Sequence, residues 1–76
     1  MNKARRAILN KIINAITDLK DELETVKSEE EEAMENMPES LQDSDRYCAM
    51  EEAVDNMDNA VGELEDVIDY LESAME

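Results

Sequence analysis

Seventy-six residues carrying 22 acidic, 7 basic and no histidine side chains, a net charge of −15, leave room for one small domain with an acidic surface. That balance excludes direct nucleic-acid binding, which needs a basic face for the phosphates, and the missing histidine removes the commonest metal ligand and general base. A single cysteine excludes an internal disulfide, so a chain too short to build a large core depends on regular helix packing or on self-association.

Composition points to helix throughout, with one Gly, one Pro and many Ala, Glu, Leu and Met. Leu9, Ile12, Ile16, Leu19, Leu23, Val26, Glu30, Ala33 and Met37 alternate by three and four, the spacing of a heptad seam. No Pro or Gly precedes Pro38, so the pattern predicts one helix over about residues 4–36, about 50 Å long. Ile8, Ile13, Ala15 and Met34 add apolar surface beside that seam. Asn2 is the available N-cap, and Lys3, Arg5 and Arg6 stand where the helix dipole favours acids, so a nearby acidic group is expected to offset them. Asn10, Lys11 and Asn14 interrupt the apolar run of this segment, which reads neither as a secretory signal nor as a membrane span. With a lone thiol suited to a reducing compartment, a cytoplasmic protein is expected.

Residues 37–44 form the predicted break. Pro38 cannot continue the first helix and biases Met37 away from helical backbone. Ser40 and Asp43 have capping-box spacing, Asp43 or Ser44 can cap the next helix, and Leu41 is expected to fold back over the end of the seam.

The second helix, about 45–74, has the stronger pattern: Tyr47, Met50, Val54, Met57, Val61, Leu64, Ile68, Leu71 and Met75 hold the three-four alternation without a break. Ala53, Ala60, Val67 and Ala74 recur every seven residues along one flank, where small side chains admit a neighbouring backbone. If the chain folds back on itself, facing seam residues have position numbers adding to 83 or 84 from the loop to the termini, so the two seams fit one another. Glu30 then faces Val54, either reaching water beside the loop or acting to fix oligomeric state. Apolar residues outside the seams (Ile8, Ile13, Ala15, Met34, Ala53, Ala60, Val67 and Ala74) are the candidate self-association surface, which makes a homodimer the expected state.

Little in this pattern supports catalysis. Carboxylates are abundant but fall on exposed heptad positions, and a ferritin-like metal site lacks its histidines. Asp55-Asn56-Met57-Asp58-Asn59 has calcium-loop residues at the wrong spacing, in a helix. Cys48 has no neighbouring base and reads as an inert thiol. No enzyme activity and no cofactor are expected. Gly62, costing about 1 kcal/mol in a helix interior, reads as a close-approach point or a tolerated surface residue, and Tyr70 as an off-seam contact residue or an interfacial aromatic.

Charge distribution is more informative. Residues 1–17 carry four basic groups and no acid, whereas residues 18–76 hold all 22 acids and three bases. Along such a rod this is about one negative charge per 2.5 Å, against about one per 1.7 Å of duplex DNA, and a helix pair is about as wide as a duplex. Asp18, Asp21, Glu22, Asp55, Asp58, Glu65, Asp66 and Asp69 are the candidate partner-binding acids, and a basic nucleic-acid-binding protein is the partner they suit.

The segment Glu35-Asn36-Met37-Pro38-Glu39-Ser40-Leu41-Gln42-Asp43-Ser44-Asp45-Arg46-Tyr47, followed by Ala49-Met50-Glu51-Glu52-Ala53, resembles the turn of small acidic helical-hairpin proteins encoded by bacterial phages and mobile elements. The resemblance implies action inside a host bacterial cell and, by class, inhibition of host defence in the manner of anti-CRISPR or DNA-mimic proteins. It transfers no active residue. The reading is one all-α domain spanning residues 1–76, an antiparallel two-helix coiled-coil hairpin dimerising into a four-helix bundle. Its expected function is to block a host nucleic-acid-binding or defence protein. The alternative is a structural or adaptor module working through its apolar flanks. Membrane docking by the basic first helix is disfavoured, because the seam already uses its apolar face.

Overall fold

A computed structural model describes the whole chain, residues 1–76, as two long helices packed against each other, α1 (Lys3–Glu35) and α2 (Asp45–Ala74). The hairpin is a rod whose Cα atoms extend 59 × 15 × 12 Å.

Local chemistry sets each boundary. Asn2 has extended backbone, and its side-chain oxygen accepts the Arg5 backbone N–H at 2.8 Å, satisfying one of the orphan donors of the first turn. At the other end of α1, the Asn36 N–H still reaches Glu32 O (3.0 Å) and the Met37 N–H tightens onto Met34 O (3.1 Å). Pro38 then takes the chain out of the helix with ψ of 143°. The connection contains one short 3-10 turn, Glu39–Leu41, and uses no residue with positive φ. Gln42 folds back to donate its side-chain amide to Met37 O at 3.3 Å, tying the two ends of the turn together.

Ser44 alone caps α2: its hydroxyl accepts the Tyr47 N–H at 3.2 Å and donates to Leu41 O at 2.6 Å, contacts worth about 1 kcal/mol to the helix. The Ser40–Asp43 box does not form. Leu41 is 48% exposed rather than folded over the seam, because the 3-10 turn holds it on the outside of the bend.

The α2 seam packs as its sequence pattern predicts, with Tyr47, Met50, Val54, Met57, Leu64, Ile68, Leu71 and Met75 half-buried and Val61 buried. On α1 the outcome differs. Leu9, Ile16, Leu23, Glu30 and Met37 are half-buried, but the row interleaved with them is Ile13, Lys20, Lys27 and Met34, not Ile12, Leu19, Val26 and Ala33. Ile13 is 9% exposed, whereas Ile12 and Leu19 are 41% and 60% exposed. In the observed register every facing pair totals 84, from Leu9 with Met75 to Met37 with Tyr47, and the lysines become seam residues.

Two lysines displace a leucine and a valine there because a lysine stem covers apolar surface while its ammonium leaves the seam sideways toward water or a carboxylate. Their side chains are only 19% and 22% exposed. Thr17, half-buried beside the seam, satisfies its hydroxyl on Ile13 O at 2.8 Å.

Candidate interaction surfaces

Two cross-helix ion pairs fix which side of the hairpin is which. Lys20 Nζ lies 3.5 Å from Glu65 Oε1, and Lys27 Nζ donates to Asp58 Oδ1 at 2.9 Å with Glu31 Oε1 at 4.0 Å. Hydrogen bonding to Asp58, then the negative charge of Asp58, Glu31 and Glu24, raises the Lys27 pKa above the ordinary lysine value of 10.5, against an opposing effect of partial burial. Both pairs leave the seam on the same flank, since Asp58 and Glu65 are one heptad apart.

From that flank outward, α2 presents an acidic edge. Glu51, Asp58, Glu65 and Glu72 form one heptad row, with Asp55 and Asp69 in the row beside it, all exposed. Gly62 shares this edge, and a methyl group built on it meets nothing within 4 Å, so no close approach within the hairpin requires glycine. Of the sequence-selected acids, Asp55, Asp58, Glu65 and Asp69 on α2 and Asp21 on α1 belong to this side. Asp18 and Asp66 lie on the backs of their helices, and Glu22 lies on the opposite side. Asp58 and Glu65 are engaged by lysines; the other six make no ion pair. Arg46 is the single basic residue of α2.

The opposite flank is apolar. Ile12, Leu19, Val26 and Ala33 of α1 run beside Ala74, Val67, Ala60 and Ala53 of α2, with Met1, Ile8, Ala15 and Tyr70 one step further out. Four of the proposed self-association residues are not free for it. Ile13 is buried and Met34, Ala53 and Ala60 are half-buried between the helices, where Met34 meets the neighbourhood of Tyr47, Glu51 and Val54. Ile8, Ala15, Val67 and Ala74 are exposed.

Lys20 and Lys27 are the residues that hydropathy alone passes over. Their signal is positional: Ile13, Lys20, Lys27 and Met34 recur every seven residues and give one constant register total, where the all-apolar choice alternates between two.

No group of three or more His, Cys, Asp or Glu side chains is arranged to hold a metal ion, and Cys48 is a free, exposed thiol. No helix is long and apolar enough to cross a membrane. Neither a protein-family model, nor a curated protein, nor a solved structure matches the chain, so function rests on its surface chemistry.

Proposed function

We propose that this chain is a protein-binding module whose acidic edge occupies the nucleic-acid channel of a basic host protein, as a small inhibitor of the phage or mobile-element kind acting in the bacterial cytoplasm. The observation that supports this reading is the grouping of Glu51, Asp55, Asp58, Glu65, Asp69 and Glu72 along one side of α2, with no base or large apolar residue of α2 among them and only Asp58 and Glu65 paired with lysines of α1. A rod of Cα cross-section 15 × 12 Å, widened by its side chains to roughly 20 Å, has about the girth of a duplex. Such a surface attracts a basic groove over several ångströms and repels nucleic acid.

A pull-down from host lysate at low and high salt, with nucleic acid as competitor, tests the reading. Capture that weakens steeply with salt and is displaced by DNA or RNA is expected, and Asp55→Lys with Asp69→Lys should abolish it. Capture indifferent to salt and to nucleic acid would reject it. That outcome would favour the second reading, a structural or adaptor module, which the exposed Ile12, Leu19, Val26 and Tyr70 support.

A further inference from the structure

The exposed large hydrophobic residues are not scattered. Seven of the eight (Met1, Ile8, Ile12, Leu19, Val26, Val67 and Tyr70) lie on the apolar flank, between the two termini and a point just past mid-rod at Val26; only Leu41 lies elsewhere. Toward the loop the same flank offers only alanines, Ala33 and Ala53. A contiguous apolar face of this kind, on a chain with two buried residues in all, marks an interaction surface. Charge says what it fits. Residues 1–26 carry five bases and four acids, nearly neutral, while the chain as a whole carries −15. Lys3, Arg5, Arg6 and Lys11 form no ion pair in the hairpin, and the first turn of α1 holds no acid to complement its dipole.

We propose that this face binds a second copy of the chain. The copies lie face to face about a two-fold axis, α1 antiparallel to α1 and α2 to α2, staggered so that the terminal halves overlap and the loops point apart. The register follows from the two rows forming the outer stripe of α1: Ile8, Ala15, Glu22 and Glu29, with Met1 just ahead of the helix on the same side, and Arg5, Ile12, Leu19, Val26 and Ala33. Antiparallel packing sets one row against the other row of the partner helix. When facing positions total 27, Met1 meets Val26, Ile8 meets Leu19, Ala15 meets Ile12 and Glu22 meets Arg5. Within the overlap every apolar residue of the two rows finds an apolar one, and the one acid there, Glu22, finds the one base, Arg5; Glu29 and Ala33 lie beyond it. Sliding one heptad either way sets Ile12 against Glu22 or Ala15 against Arg5. A parallel arrangement sets Arg5 on Arg5 and Glu22 on Glu22, like charges that repel. The chosen register also places the axis beside Tyr70 on α2. The overlap spans about 35 Å of α1.

Sedimentation equilibrium and light scattering over about 1–100 µM chain test the proposal, with helical circular dichroism as the folding control. The wild type is expected to run at twice the chain mass in the upper part of that range. Leu19→Glu, placing a carboxylate in the apolar stripe, is expected to raise the dimer Kd by about a hundredfold or more with helicity unchanged. Arg5→Glu and Glu22→Arg should each weaken the dimer about tenfold, and the double exchange should restore it to within about threefold of wild type. A wild type that stays monomeric throughout, or a double exchange no tighter than the weaker single variant, would overturn the proposal.

Discussion

The position of Ile13 beside Ile12 gives the hairpin its most direct test. An Ile→Ala change removes three carbons, about 2.4 kcal/mol at roughly 0.8 kcal/mol each if the side chain is fully buried. Ile13 is 9% exposed and loses nearly all of this, offset by roughly 0.4 kcal/mol from the better helix propensity of alanine, leaving a net destabilisation of about 2 kcal/mol. Ile12 is 41% exposed, and much of its remaining cover is its own helix, which the unfolded chain partly retains. The same change there costs less than about 1 kcal/mol. Urea unfolding followed by helical circular dichroism, at about 1 µM chain so that self-association does not contribute, measures both. In a domain of this size the difference corresponds to a separation in Tm of about 4–8 °C or more. Equal losses, or a larger loss at Ile12, would mean that α2 packs on the Ile12, Leu19 and Val26 row, and the assignment of acidic and apolar flanks would fall with it.

Gly62→Ala should raise stability by about 1 kcal/mol, because the added methyl meets nothing within 4 Å and the helix gains propensity; thermal melts check this, and a loss would show that the glycine serves an unseen close contact. Glu30→Leu should raise Tm by several degrees, since Glu30 is half-buried on the seam with no hydrogen bond or ion pair to lose, whereas a fall would reveal a partner. Lys27 contributes a pH-dependent increment. Its pKa is raised in the folded chain, so the stabilisation is complete below the ordinary lysine value of 10.5 and disappears as pH climbs through the higher folded value. The Tm difference between wild type and Asp58→Asn should therefore be constant from neutral pH to about pH 10 and vanish only once pH has passed the raised Lys27 value; a difference that persists after the lysine is neutral would assign it to something other than the Lys27 charge.

The legible and illegible parts of this fold divide by physical cause. Helix number, the break at Pro38 and the α2 seam could be read directly, because on α2 the apolar row and the buried row are the same residues. On α1 they are not. A reading by hydropathy chooses Ile12, Leu19 and Val26 over Ile13, Lys20 and Lys27, since it scores a lysine by its ammonium and ignores the stem. The substitution rotates the packing face of α1 by less than a quarter turn, enough to bring two proposed self-association residues, Ile13 and Met34, inside. The acids were visible as a population, but their division into an edge and a back required the lysine pairs to mark a side. Ser44 over Asp43 as cap, and the outward Leu41, depend on how one 3-10 turn closes, which residue types alone do not decide.

The distribution of seam residues along the rod also determines where it can breathe. Ile13, the best-covered side chain of α1, lies near the chain ends, Val61 faces Leu23 close to mid-rod, and the covalent connection is at the far tip; between Leu23 and the loop, α1 contributes the charged Lys27 and Glu30 to the interface. The hairpin is thus best covered from near the chain ends to mid-rod, tethered at the loop, and softest between mid-rod and the loop. Amide exchange should be slowest around residues 9–16 and 61–71 and faster around 27–34, a bubble rather than a fraying zipper. Uniform protection along α1, or fastest loss at the chain ends, would contradict it. A segment that opens between mid-rod and the loop while the loop tethers it would let the acidic edge change its curvature without unfolding the rest of the rod.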